Sequence, residues 1–313
     1  MTRQLAITCE RMTDESLDGF LRRSLQKNYV TKLDWFEELY SPLTGGPLSF
    51  LARGRAIHQI ENALGCDNGA LLSSTPLPPN ASKFIQLGNG RFSPADFRRN
   101  KLAICPTCIV ERNFHHIANL VAHVRCCPVH GYILIEGCRN CGHPISKNLD
   151  LTRCSKCETP VTEAWSTSDS EKSLRLSQSI ASIIKDGVKN TPLKWLKAAS
   201  ETELLILAQK IGYYAAEDTD LAYDPSGRVD RIAIGVSVLS NGRRGVRALL
   251  KGIQPRTGRH LSHLRHRNLA LFGQDILIER SRGNAADAVA TVYERYVVEK
   301  RIEGVPSANQ VIA

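Results

Sequence analysis

Between Cys105 and His143 the chain concentrates six of its ten cysteines and five of its nine histidines, and "CSKC" adds Cys154 and Cys157 soon after. Such a segment is constrained more than any other: its thiols cross-link, hold metal or react. The N-terminal "MTRQLAITCERMTDESLD" has no long apolar core, and no run approaches the roughly 18 apolar residues of a membrane span. A cytoplasmic protein is expected, and thiols in a reducing compartment stay free unless metal claims them.

The spacing favours metal. Cys105 and Cys108 form C-x2-C, answered by C-x2-H at Cys127 and His130; Cys138 and Cys141 form a second C-x2-C, answered by Cys154 and Cys157. Two intervening residues let a tight turn aim both side chains at one ion, and four such ligands close a tetrahedral zinc shell with no position left for water. Two structural Zn2+ ions are therefore expected. Cys126 adjoins Cys127 and is the alternative ligand; "CPVH" favours Cys127, two residues before His130. His115, His116, His123 and His143 are more simply core or surface histidines, and Cys9 and Cys66 core thiols. The segment is short and polar, so metal is expected to supply its folding energy, with "GYILIEG" a strand.

The remainder reads as helical, giving a mainly α fold with small zinc-ribbon or knuckle β elements. A helical domain over 1–100 would hold helices beginning near Leu17, at "KLDWFEELY" and over 48–64 ended by Gly65, then a proline-rich linker at 74–82; three helices there fit a helix-turn-helix or plain packing. The double zinc module would span 101–160. A helical domain over 161–313 would follow the polar linker "STSDSEKS" (166–173), with helices at 174–185 and about 192–215. Ala208, Gly212 and Leu221 match part of a helix-turn-helix signature, but Asp218 stands where an aliphatic belongs.

Charge is uneven. Arg228 to Arg267 holds ten Lys or Arg against Asp230 alone, +9 of the chain's +10. Glycines there let a polyanion approach the backbone, and Arg243, Arg244, Arg247, Lys251, Arg256 and Arg259 are candidates for nucleic-acid phosphates; a solvated face is the alternative. No P-loop, G-x-S-x-G, H-E-x-x-H or deaminase H-x-E with C-x-x-C occurs, and an enzyme is not expected.

The order of the pairs, with "DESLDGFLRRSLQKNYV" near the start, resembles the TniQ family, which includes the TnsD target selectors of bacterial transposons. Arg139 stands where the family's second C-x-x-C usually has proline, and histidines replace an aromatic pair between Cys108 and Cys127. The resemblance implies a non-catalytic target-site selector for DNA transposition in a bacterium. Such a protein connects target DNA, or an RNA-guided CRISPR Cascade complex, to an AAA+ ATPase regulator. The family's adaptor-type members can pair as homodimers. The short chain and weak recognition motif favour the adaptor role over direct reading. A stand-alone zinc-containing transcription regulator is the alternative.

Overall fold

A computed structural model describes residues 5–30, 57–77, 84–98, 102–147, 150–198, 200–216, 227–253, 267–280 and 283–300. The chain is mainly helical and divides into two compact units, Met1–Lys185 and Asp186–Ala313.

In the first unit, Leu17, Phe20, Leu21 and Leu25 recur at i, i+3, i+4 and make helix α1 (Leu17–Lys27) amphipathic. Ser16 caps it, its Oγ accepting from Gly19 N at 3.1 Å. The apolar stripe packs on Ile57, Ile60, Ala63 and Leu64 of α2 (Ile57–Leu64) and on Leu71. Gly65 ends α2 at φ +67; residues 48–56 of the expected helix, and all of "KLDWFEELY", lie outside the described residues. Buried Glu61 accepts from Gly69 N and Leu71 N, both at 2.9 Å, fixing the next turn. Cys9 and Cys66 are half-buried against this core.

A hairpin that the sequence reading did not anticipate follows. Strands β1 (Ile85–Leu87) and β2 (Gly90–Phe92) pair antiparallel, burying Ile85, Leu87 and Phe92 and exposing Gln86 and Arg91. Gly88 takes the first corner at φ +57, and a Cβ there would lie 2.3 Å from Ile184 O. The turn closes the end of helix α4 (Glu171–Asp186): Asn89 N donates to Ile184 O at 2.8 Å and its Nδ2 to Lys185 O at 2.5 Å.

The cysteine-rich segment departs from expectation in three ways. It has its own small core, with Leu102, Ile104, Ile109, Ile135, Ile145, Leu151 and Val161 buried together. "GYILIEG" is no regular strand; Tyr132, Ile133 and Ile135 make isolated bridges to Ser168, Cys126 and Ile104. Residues 166–173 are an ordered strap rather than a linker: Ser168 bridges Tyr132, Ile133 N donates to Thr167 O at 2.7 Å, and α4 begins at Glu171.

In the second unit the helix expected over about 192–215 is broken. Pro192–Leu196 is a 3-10 turn closed by Lys197 in the left-handed region (φ +51), and α5 runs Glu201–Ala215 behind its Ser200 cap. It crosses α6 (Gly227–Ser240) at two glycines, where a Cβ on Gly212 or Gly235 would lie 1.8 Å from Arg231 O or Ala208 O. Helices α7 (Gly242–Ile253), α8 (Arg267–Arg280) and α9 (Asn284–Glu299) complete the described unit. Tyr214, Phe272 and Tyr293 pack in a chain with ring centroids 5.2 and 5.9 Å apart. Asp218 and Leu221 lie outside the described residues.

Candidate functional site

Three of the four pairs, Cys127–His130 among them, are built alike. At Cys127, Cys138 and Cys154 the first cysteine's N–H donates to the carbonyl five residues on (Tyr132, His143, Thr159) at 2.8–3.0 Å. Its own carbonyl accepts from the residue four on, Gly131, Gly142 or Glu158, at 2.9 Å. That residue is left-handed each time, at φ +71, +69 and +56. The flanking residues bridge too: Cys126 with Ile133, Gly137 with Pro144, Arg153 with Pro160. The Cys105–Cys108 pair differs. Cys105 is the N-cap of α3 (Pro106–Arg112), Pro106 fills the position where no N–H is needed, and Cys108 sits in the first turn.

These turns gather two sets of four. Cys105, Cys108, Cys127 and His130 form one, Cys138, Cys141, Cys154 and Cys157 the other; within each, the donor atoms lie within 4.8 Å of one another. His130 Nδ1 is 3.6, 3.3 and 3.6 Å from the sulfurs of Cys105, Cys108 and Cys127. Cys108–Cys127, Cys138–Cys157 and Cys141–Cys154 are each 3.6 Å between sulfurs. A tetrahedral ion with sulfur at about 2.3 Å and nitrogen at about 2.0 Å requires edges of about 3.8 and 3.5 Å, so both sets fit a metal ion. The other ring nitrogen, His130 Nε2, is 3.5 Å from Glu111 Oε2, the carboxylate position that orients a ligating imidazole. Cys126 points elsewhere, its sulfur 3.5 Å from Ser177 Oγ on α4.

The crowded sulfurs are electrostatically unequal. Hydrogen bonds with Cys108 and Cys127 pull the Cys105 thiol down to about 3, whereas those with Cys105 and Cys127 push Cys108 strongly up. One thiolate is welcome and the next is penalised; a cation removes the penalty. In the second set the hydrogen bond with Thr159, 3.2 Å away, draws Cys157 down to about 5.

The histidines between the first two pairs are buried supports. His115 Nδ1 meets Ser16 Oγ at 2.6 Å and its Nε2 meets Ala103 O at 3.0 Å. His116 Nδ1 accepts from Ala118 N, and His123 Nε2 pairs with Asp96 Oδ1, both at 3.0 Å. Two residues the sequence reading passed over join this frame. Arg98 donates to Asn119 O and Val124 O and pairs with Glu136. Glu15 and Arg23 form a buried bidentate pair at 2.9 and 2.7 Å, visible in sequence only as i, i+8 across the start of α1.

Residues 6–134 match the family model for TniQ. The chain carries a TniQ domain. The matched stretch holds Glu15, Ser16, His115 and the whole first set, and ends before Cys138, so the second set lies beyond it. A TniQ domain implies an association with DNA transposition and the selection of its targets. No curated protein matches the chain.

Of the candidate basic residues, Arg243, Arg244, Arg247 and Lys251 lie exposed on α7, whose Val246 and Leu250 are buried. Arg247 is paired with Glu299. Arg256 and Arg259 lie outside the described residues. No helix among the described residues is long and apolar enough to cross a membrane.

Proposed function

We propose that the chain is a non-catalytic target-site selection factor for DNA transposition, which links a target to the AAA+ ATPase regulator that recruits a transposase. The reading is carried by two four-donor sets at tetrahedral spacing, one inside the TniQ domain and one just beyond it. Each set would hold one structural Zn2+ through Cys105, Cys108, Cys127 and His130, or through Cys138, Cys141, Cys154 and Cys157. Four protein ligands leave no open position for a metal-bound water. Zinc here maintains a scaffold, and the work is docking. The helical segment to about residue 100, the double zinc module to about 160 and the basic helical remainder are its three functional parts.

The exposed basic face of α7, with Arg256 and Arg259 beyond it, would contact nucleic-acid phosphate. The target is recognised through an RNA-guided Cascade complex, with this chain as a cytoplasmic bacterial adaptor that pairs with a second copy. Direct DNA reading, or action as a stand-alone transcription regulator, is the competing reading. Selection of the zinc-loaded protein on a random duplex library at moderate salt separates them. Salt-sensitive background binding without an enriched motif is expected; a reproducible motif would make the chain a direct reader.

A further inference from the structure

A second basic stretch lies outside the arginine-rich window. Residues 187–200, "GVKNTPLKWLKAAS", carry Lys189, Lys194 and Lys197 and no acid. Trp195 sits between two of these lysines, and its Nε1–H donates to Leu239 O at 3.0 Å. Leu239 is near the end of α6, and the chain then turns through Asn241 and Gly242 (φ +61) into Arg243 and Arg244 of α7. The hydrogen bond thus brings the 3-10 turn to the α6–α7 corner, with Lys194 and Lys197 exposed on one segment and Arg243 and Arg244 on the other.

Two further observations separate this cluster from an ordinary solvated face. Among the described residues, none of these four cations has an ion pair, whereas Arg247 further along α7 is matched by Glu299. Lys197 is also left-handed (φ +51, ψ +34), a conformation that costs a non-glycine residue about 1–2 kcal/mol. A lysine stands where glycine would be least strained, and such an outlier points from structure towards function.

We infer that Lys194 and Lys197 join Arg243 and Arg244 in one surface that binds the phosphate backbone of duplex nucleic acid, with Trp195 as the residue that positions the lysines. Lysines are compact, strongly hydrated point charges, so their contribution is affinity without base reading. The inference rests on the reading of α7 as a nucleic-acid contact and extends it to a second chain segment.

The test uses the full zinc-loaded chain and a labelled random-sequence 30-base-pair duplex, with binding measured across a salt series. Three proteins are compared: the parent, Lys194→Gln with Lys197→Gln, and Arg243→Gln with Arg244→Gln. All four side chains are exposed, so melting temperatures should match the parent. Each lost phosphate contact lowers the slope of log K against log salt by about 0.9, so each double variant should lose about 1.8 and bind several-fold more weakly at low salt. If only the arginine variant loses slope, the lysine surface is refuted and α7 stands. If neither does, the reading of α7 fails and this inference with it.

Discussion

Ser16 and His115, 99 residues apart, meet at 2.6 Å between Oγ and Nδ1. The same hydroxyl oxygen accepts from Gly19 N, and the far side of the ring meets Ala103 O, two residues before Cys105. One neutral imidazole therefore joins the start of α1 to the entry of the first cysteine pair. Contact is close along the joint: a Cβ on Gly19 would lie 2.7 Å from His115 Cβ.

Complete burial holds His115 down to about 4, below its ordinary 6.5. The unfolded chain binds a proton near 6.5 that the folded chain refuses, so stability is full above that pH and is lost as pH falls towards 4. Urea unfolding at pH 7 and 5.5 should show about 1 kcal/mol of this loss in the parent and none of it in His115→Gln. Comparing the two proteins removes the contribution of every other titrating group, the clustered cysteines included. Equal pH dependence in both would contradict a neutral, buried His115.

Glu15 and Arg23 form an ion pair in which Glu15 is wholly buried. Glu15→Gln leaves the guanidinium without its counter-charge and should cost about 3 kcal/mol by chemical denaturation. Adding Arg23→Met should recover part of that loss, because no uncompensated charge then remains. A double variant as unstable as the sum of the two single variants would mean that the pair is not coupled.

Glu158 occupies, in the third ribbon knuckle, the left-handed position that Gly131 and Gly142 occupy in the other two. Glu158→Gly should stabilise the zinc-loaded protein by about 0.5–1 kcal/mol, since relief of the backbone exceeds the entropy that glycine adds to the unfolded chain. Gly142→Ala should destabilise by about 1 kcal/mol although a Cβ there meets nothing within 4 Å. Melting curves of both variants decide whether the three turns are equivalent.

Cys154→Ser should reduce zinc from two ions per chain towards one, because the remaining thiols of the second set no longer close a tetrahedron. Elemental analysis of the purified variant reads this directly. Two retained ions would overturn the grouping of Cys154 with Cys138, Cys141 and Cys157.

The gathering of the cysteines and His130 into two sets of four was legible because two-residue spacing is itself the geometry of a chelating turn, and the stripe Leu17, Phe20, Leu21, Leu25 was legible because it repeats at helical period. The three-dimensional role of His115 was not: its partners Ser16 and Ala103 come from separate stretches, and nothing local distinguishes a bridging imidazole from any buried one. The hairpin at 85–92 is only three residues to a side, although Gly88–Asn89 within "LGNGRF" was an available two-residue turn signal. "GYILIEG" misled because the residues of its short apolar run pair singly with three different segments. The break at Lys197 was hidden because lysine carries no sequence mark of a left-handed residue.

In the proposed role this chain directs where an element inserts. The most direct measurement maps insertion sites in cells that carry the element's transposase and its AAA+ regulator, with and without this chain. Insertions should lose their preferred target when the chain is removed, and Cys108→Ser should have the same effect as removal. An unchanged distribution and frequency of insertions without the chain would contradict it.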